Sequence, residues 1–272
     1  MSEQAGTATI SRPGGTVAYE VDGDGPLIVC VPGMGELRSS YRFVAPSLIA
    51  AGYRVALTDL RGHGDSDAGF DTYGDEATAD DVAALIEELG GPAVVVGNSL
   101  AAGSAVLVAA SRPDLVSGLV LVGPFVRDPD TSRFMRILFR AMMAPMWARA
   151  SWNSYLPKLY AGRKPADFAQ YRADVKSAMK RRGHTRAFSL TTRTRHHAAA
   201  AALSSVAAPV LVVMGELDPD FPEPAVEASW IAEQVGGSVL MVAEAGHYPQ
   251  AQRPDLVAPA IEAFASDIHR HA

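Results

Sequence analysis

The 272-residue sequence predicts an α/β fold, a doubly wound and mostly parallel sheet with a helical lid insertion. Three observations predict it. Short apolar runs alternate with helix-patterned segments, as in a sheet assembled from βαβ units. The run Leu27-Ile28-Val29-Cys30-Val31 is continuously apolar, the mark of a strand covered on both faces. The alternation lapses once, after Gly123-Pro124, and resumes at Pro209. The expected organisation is therefore a core of residues 1–123 and 203–272 interrupted by a lid of residues 124–202.

Each element follows from its local pattern. Thr16-Val17-Ala18-Tyr19-Glu20-Val21 alternates and reads as a half-exposed strand, closed by the turn Asp22-Gly23-Asp24-Gly25. Pro26 to Val31 is a buried strand ending in Pro32-Gly33-Met34-Gly35. Tyr41 to Ala51 reads as a helix stopped by Gly52, and Tyr53 to Asp59 as the next strand. Ala79, Val82, Leu85 and Ile86 place a helix over 78–89, with Gly90-Gly91 as its stop. Ala93 to Val96 is a β-branched run entering Gly97-Asn98-Ser99-Leu100-Ala101, and an Ala-rich helix follows to about Ala110. Gly118 to Val122 is a strand. Residues 124–202 are helix-like, with Trp147, Trp152 and Tyr155 clustered. Pro209 to Met214 is a strand, followed by a helix over 223–235, a strand over 238–242 and a last helix over 255–268.

Composition narrows the function classes. A 48% hydrophobic and 20% charged chain is globular and buries a large core. The single cysteine, Cys30, has no intrachain partner and reads as a buried, inert thiol. No Cys or His set has zinc-like spacing, so no metal and no cofactor are expected. The start MSEQAGTATISRPGG has no basic or apolar leader pattern, and no run is long enough to span a bilayer. A cytoplasmic protein is expected. The net charge of −6 argues against nucleic-acid binding. That average conceals a split: residues 127–195 carry +12 and the remainder −18.

The chemistry centres on Ser99. A strand, a tight turn and a helix place a serine hydroxyl above a sheet edge, with a helix N-terminus behind it. The turn forces the serine into a strained backbone conformation, and it demands small residues two before and two after. Gly97 and Ala101 meet that demand. Taken alone the pattern is weak, since an ordinary strand-to-helix turn capped by serine reads the same way.

Further motifs reinforce it. Pro32-Gly33-Met34-Gly35 follows an early buried strand. Asp59-Leu60-Arg61-Gly62-His63-Gly64-Asp65-Ser66 approximates D-x-R-G-x-G-x-S. Gly215-Glu216-Leu217-Asp218 and Ala245-Gly246-His247-Tyr248-Pro249 follow the last two strands. In this order the pieces make the chain resemble the α/β-hydrolase fold family over essentially its full length. The resemblance implies a serine hydrolase in which Ser99 attacks, His247 shuttles the proton and Asp218 orients the imidazole. Asp220 is a near rival to Asp218. The backbone N–H groups of Met34 and Leu100 would form the oxyanion hole. In the family the Arg61-Gly62-His63-Gly64 turn is structural, and Asn98 reads as a hydrogen-bonding prop. Two departures stand out. Pro32 replaces a common histidine in the oxyanion loop, and Ala101-Ala102 replaces a frequent Gly-Gly pair. A serine nucleophile also disfavours dehalogenase and epoxide hydrolase chemistry.

The expected reaction is cleavage of a carboxylic ester or lactone of a bulky, mostly apolar small molecule through an acyl-enzyme. The alternatives are carbon–carbon hydrolysis of a β-diketone-like substrate, cofactor-free perhydrolase activity, and non-catalytic small-molecule binding on the same fold. In the lid, Met135, Met142, Met143, Met146, Trp147 and Trp152 suggest an apolar pocket roof. Arg136, Arg140 and Arg193 would recognise an anionic or polyoxygenated substrate, unless the lid arginines simply face water. His184, His196 and His197 are expected to be solvated or substrate-facing. No membrane partner is expected, because the basic segment shows no sustained amphipathic basic helix.

Overall fold

The computed structural model describes residues 6–128 and 132–271, so residues 129–131 of the expected lid lie outside the described residues. Eight strands form one sheet: β1 Ala8–Arg12, β2 Gly15–Asp22, β3 Leu27–Val31, β4 Arg54–Thr58, β5 Ala93–Asn98, β6 Val116–Val122, β7 Val210–Gly215 and β8 Ser238–Val242. Their spatial order is β1-β2-β4-β3-β5-β6-β7-β8. β1 pairs antiparallel with β2 and β2 antiparallel with β4, and every other pairing is parallel. β1 escapes the sequence reading, because Thr9, Ser11 and Arg12 give it no apolar run and only its ladder to β2 makes it a strand.

Eleven α-helices accompany the sheet among the described residues. On the core they are α1 Val44–Ala50, α2 Asp75–Leu89, α3 Leu100–Ser111, α9 Pro224–Val235, α10 Pro249–Gln252 and α11 Pro254–His271. Between β6 and β7 lie α4 Arg133–Met142, α5 Ala148–Leu159, α6 Phe168–Ala178, α7 His184–Thr191 and α8 His197–Ala202. α2 begins earlier than its apolar spacing indicates, because Asp75 and Glu76 occupy the first turn, where the helix dipole favours acids.

Alternate strand residues point to opposite faces of the sheet and build two cores. Val29, Val31, Val95, Leu119, Leu121 and Val212 join one cluster with residues of α2, α3 and α9. Ile28, Cys30, Val94, Val96, Val120 and Val213 join the other with residues of α1 and α11. Cys30 is buried, and burial pushes its thiol far above its ordinary pKa, as expected of an inert core thiol. A third cluster joins the inter-strand helices to the body through Trp152, Leu156, Tyr160, Tyr171, Phe188 and Tyr248.

β3 and β5 are hydrogen-bonded neighbours, and the chain departs from β3 to β4 on one side and to β5 on the other. Such a reversal opens a crevice at the carboxyl ends of the strands, where open α/β sheets bind ligands. The loop after Val31 and the turn after Asn98 flank that crevice.

The segment 124–202 differs from expectation in one respect. α4 is an amphipathic helix with arginine along one face, although the sequence reading finds no such basic helix there. No described helix is long and apolar enough to cross a membrane.

Candidate active site

Ser99 sits between β5 and α3 with φ 58° and ψ −122°, a conformation that L-residues rarely adopt. Its N–H donates to the carbonyl of Val122 at 2.8 Å, and the N–H of Phe125 donates to its carbonyl at 3.2 Å. These bonds from the adjoining strand and loop hold the strained turn. The small-residue rule is visible in the packing. A Cβ on Gly97 would collide with the carbonyl of Ala101, and one on Gly33 would lie 2.8 Å from the Cβ of Ser99. Gly33 therefore presses against the serine.

His247 lies in the loop between β8 and α10 and is buried. Its Nδ1 is 2.7 Å from Asp218 Oδ2 and 3.9 Å from Asp220 Oδ2. Asp218 follows β7, and its N–H donates to the carbonyl of Gly215 at 3.2 Å. The N–H of Asp220 donates to Asp218 Oδ1 at 3.0 Å, so the second acid orients the first. Asp220 in turn accepts the Tyr155 hydroxyl at 2.7 Å. Asn98 Nδ2 donates to the carbonyls of Val122 at 3.0 Å and His247 at 3.2 Å, tying the strand that carries the serine to the histidine loop.

Burial, the largest influence on His247, lowers its pKa. The charge and hydrogen bond of Asp218, with the charges of Asp220 and Glu36, overcome it and raise the imidazole to about 9. Burial raises Asp220, with His247 opposing and Asp218 adding to the rise. Asp218, Asp220 and His247 also bring ligand atoms within 4.8 Å of one another. The hydrogen bond to Asp218 already engages Nδ1, the nitrogen nearest both acids.

The loop after β3 carries residues that no sequence motif marks. Glu36 is fully buried, and its Oε2 accepts Tyr171 Oη–H at 2.7 Å and Tyr160 Oη–H at 3.2 Å. Burial raises Glu36 to about 7 against the opposing hydrogen bonds of Tyr171 and Tyr160. The hydroxyl of Tyr171 also accepts the N–H of Leu37 at 3.3 Å. Trp152 Nε1 donates to the carbonyl of Gly35 at 2.9 Å. Three side chains from α5, α6 and the end of α5 thus clamp Gly35 to Leu37. Only the position of Glu36, two residues past Met34, signals this in the sequence.

The lid residues singled out by sequence separate. Trp152 is buried against the loop after β3, whereas Trp147 is half-exposed and donates to the carbonyl of Ala141. Arg136 and Arg140 stand on exposed positions of α4, and Arg193 is exposed after α7. The three do not form one recognition cluster on a shared element. His197 is exposed as expected, but His184 and His196 are buried. His196 Nδ1 meets Asp75 Oδ2 at 2.8 Å, an ion-pair geometry that sequence separation hides. His63 is structural: its Nδ1 is 2.9 Å from the Arg61 carbonyl, and burial lowers its pKa to about 4. Asp59 accepts the N–H groups of Arg38 at 2.8 Å and Asp65 at 3.1 Å, which fixes the turn around it.

Comparison with known proteins supplies the family. A model described as "Alpha/beta hydrolase family" matches residues 28–260. A 2-(acetamidomethylene)succinate hydrolase of Mesorhizobium japonicum is 29% identical over 263 residues, covering 92% of this chain and 91% of that protein. An AB hydrolase superfamily protein of Bacillus subtilis is 30% identical over 135 residues, 48% of this chain, and the match spans only 45% of the Bacillus protein. A thermophilic esterase from Thermogutta terrifontis superposes with a TM-score of 0.78 at 23% identity, covering 97% of this chain and 100% of that one. The strand order, the serine turn and the match over residues 28–260 agree: this chain belongs to the alpha/beta hydrolase family.

Proposed function

We propose that this hydrolase cleaves a carboxylic ester or lactone of a bulky, mostly apolar small molecule through an acyl-enzyme. The observation that carries the reading is the buried 2.7 Å contact between His247 Nδ1 and Asp218. A carboxylate on Nδ1 leaves Nε2 as the proton acceptor, the tautomer a serine nucleophile requires. In this mechanism Ser99 Oγ attacks the carbonyl carbon while His247 takes its proton. The carbonyl oxygen gains the negative charge and is held by the N–H groups of Met34 and Leu100. Collapse expels the alcohol, which receives the proton from the imidazolium. Water, deprotonated by the same histidine, then releases the acid and restores the serine.

Leu100 is the first residue of α3, so its N–H has no partner one turn earlier in the helix, as an oxyanion donor needs. The half-buried Met34 side chain packs on the core and on the cluster around Trp152, which leaves its backbone to do the chemistry. Residues 124–202 act as the lid over this site. Asn98 spends its amide on two backbone carbonyls, which supports a prop and gives the carbon–carbon reading no added weight.

Short p-nitrophenyl esters test the proposal. A burst of nitrophenol stoichiometric with enzyme, lost in Ser99→Ala, is the expected result. Turnover that survives Ser99→Ala would overturn it.

A further inference from the structure

α4 places its polar and apolar residues cleanly. Arg133, Arg136 and Arg140, spaced i, i+3 and i+7, share one face. Phe134, Leu138 and Met142 occupy the opposite one, and Ile137 borders the arginines. A surface helix of this pattern ordinarily turns its apolar stripe to the core. Here none of the helix is buried. Phe134 is 71% exposed and Ile137 57%. Just beyond the helix, Met146 is 78% exposed and Trp147 half-exposed, continuing the patch. Phe139 and, just past the helix, the buried Met143 pack inward, against the cluster around Trp152. An apolar patch of this kind marks an interaction surface.

The charge around the patch selects the partner. Residues 131–166 contain seven Lys and Arg and no acid. The whole 127–195 segment carries +12 and the rest of the chain −18. We propose that α4 and the Met146-Trp147 loop dock this protein on an anionic lipid surface. The apolar residues enter the boundary between headgroups and acyl chains. The arginines extend their stems along that boundary and reach the phosphates. The acidic body is repelled by the same surface, so the molecule lands with the 124–202 segment against the lipid and the sheet away from it. Trp147 lies where an indole prefers the interface.

Flotation of the full chain with vesicles tests this. Phosphatidylcholine vesicles are compared with equal parts phosphatidylcholine and phosphatidylglycerol, at low and high salt. We expect binding to the anionic vesicles at least about tenfold tighter, and weakened by salt. Phe134→Ser/Ile137→Ser and Arg133→Gln/Arg140→Gln should each reduce it by about tenfold or more. Tryptophan emission should shift to the blue on binding, and Trp147→Phe should remove most of that shift. Circular dichroism melting shows whether each variant folds. Three results would overturn the proposal: no binding to either vesicle, equal binding to both, or binding unchanged in the folded variants. Sedimentation without lipid adds a fourth: a dimer that the Phe134/Ile137 pair converts to monomer assigns the face to a second copy of this chain.

Discussion

Asp218 and Asp220, two residues apart, both face Nδ1 of His247, at 2.7 Å and 3.9 Å, and the backbone of the second hydrogen-bonds the carboxylate of the first. One acid holds the imidazole directly. The other holds the acid and adds charge. Asp218→Asn is therefore expected to lower kcat by roughly 10⁴. Asp220→Asn should cost at least about a hundredfold less. Steady-state turnover of a soluble ester separates the two, and a reversed ranking would reassign the acid.

The same charges set the pH profile. His247 must be neutral to accept the serine proton, and it is raised to about 9. The acid limb of kcat/KM should then fall well above 6.5, with activity climbing toward about pH 9. The stability linkage has the matching sign. The contribution of His247 is full below its ordinary 6.5 and is lost as pH rises through about 9. Asp220→Asn removes one of the raising charges and should move the limb to lower pH. A limb that stays in place would show that Asp220 does not act on the imidazole.

Glu36 yields a separate prediction. Its carboxyl is raised from 4.5 to about 7, so the folded chain binds this proton more tightly than the unfolded chain. The stability it contributes is full below 4.5 and lost as pH rises through about 7. Thermal melting across that window should show a decline, and Glu36→Gln, which cannot ionise, should flatten it. An unchanged slope in the variant would locate the decline elsewhere.

Much of this site is legible in the sequence, and the reasons are local. Gly97 and Ala101 are readable because a positive φ at Ser99 leaves no room for larger neighbours. Asp218 is readable from its distance past a strand end. What the sequence hides are contacts across the chain. The bond from Trp152 to Gly35 joins residues 117 apart, and that from Tyr171 to Glu36 joins residues 135 apart. His196 looks solvated until α2 brings Asp75 to it. The amphipathic α4 is also missed, and periodicity does not say whether core or solvent meets an apolar residue.

The Trp152 contact carries a kinetic consequence. Its indole holds the carbonyl of Gly35, next to the proposed donor Met34. Trp152→Phe keeps a ring and removes the N–H, so the loop should loosen without emptying the core. We expect kcat to fall about tenfold, less than the loss of a whole oxyanion donor, with KM little changed. A KM rise at constant kcat would make the indole a substrate contact instead.

The central claim is that the hydroxyl of Ser99 is activated by His247, and a fluorophosphonate probe measures that most directly. Peptide mass spectrometry should find the label on Ser99 in the native chain, and both Ser99→Ala and His247→Ala should abolish it while remaining folded. A native chain that stays unlabelled, or one labelled at another residue with Ser99 untouched, would contradict the account.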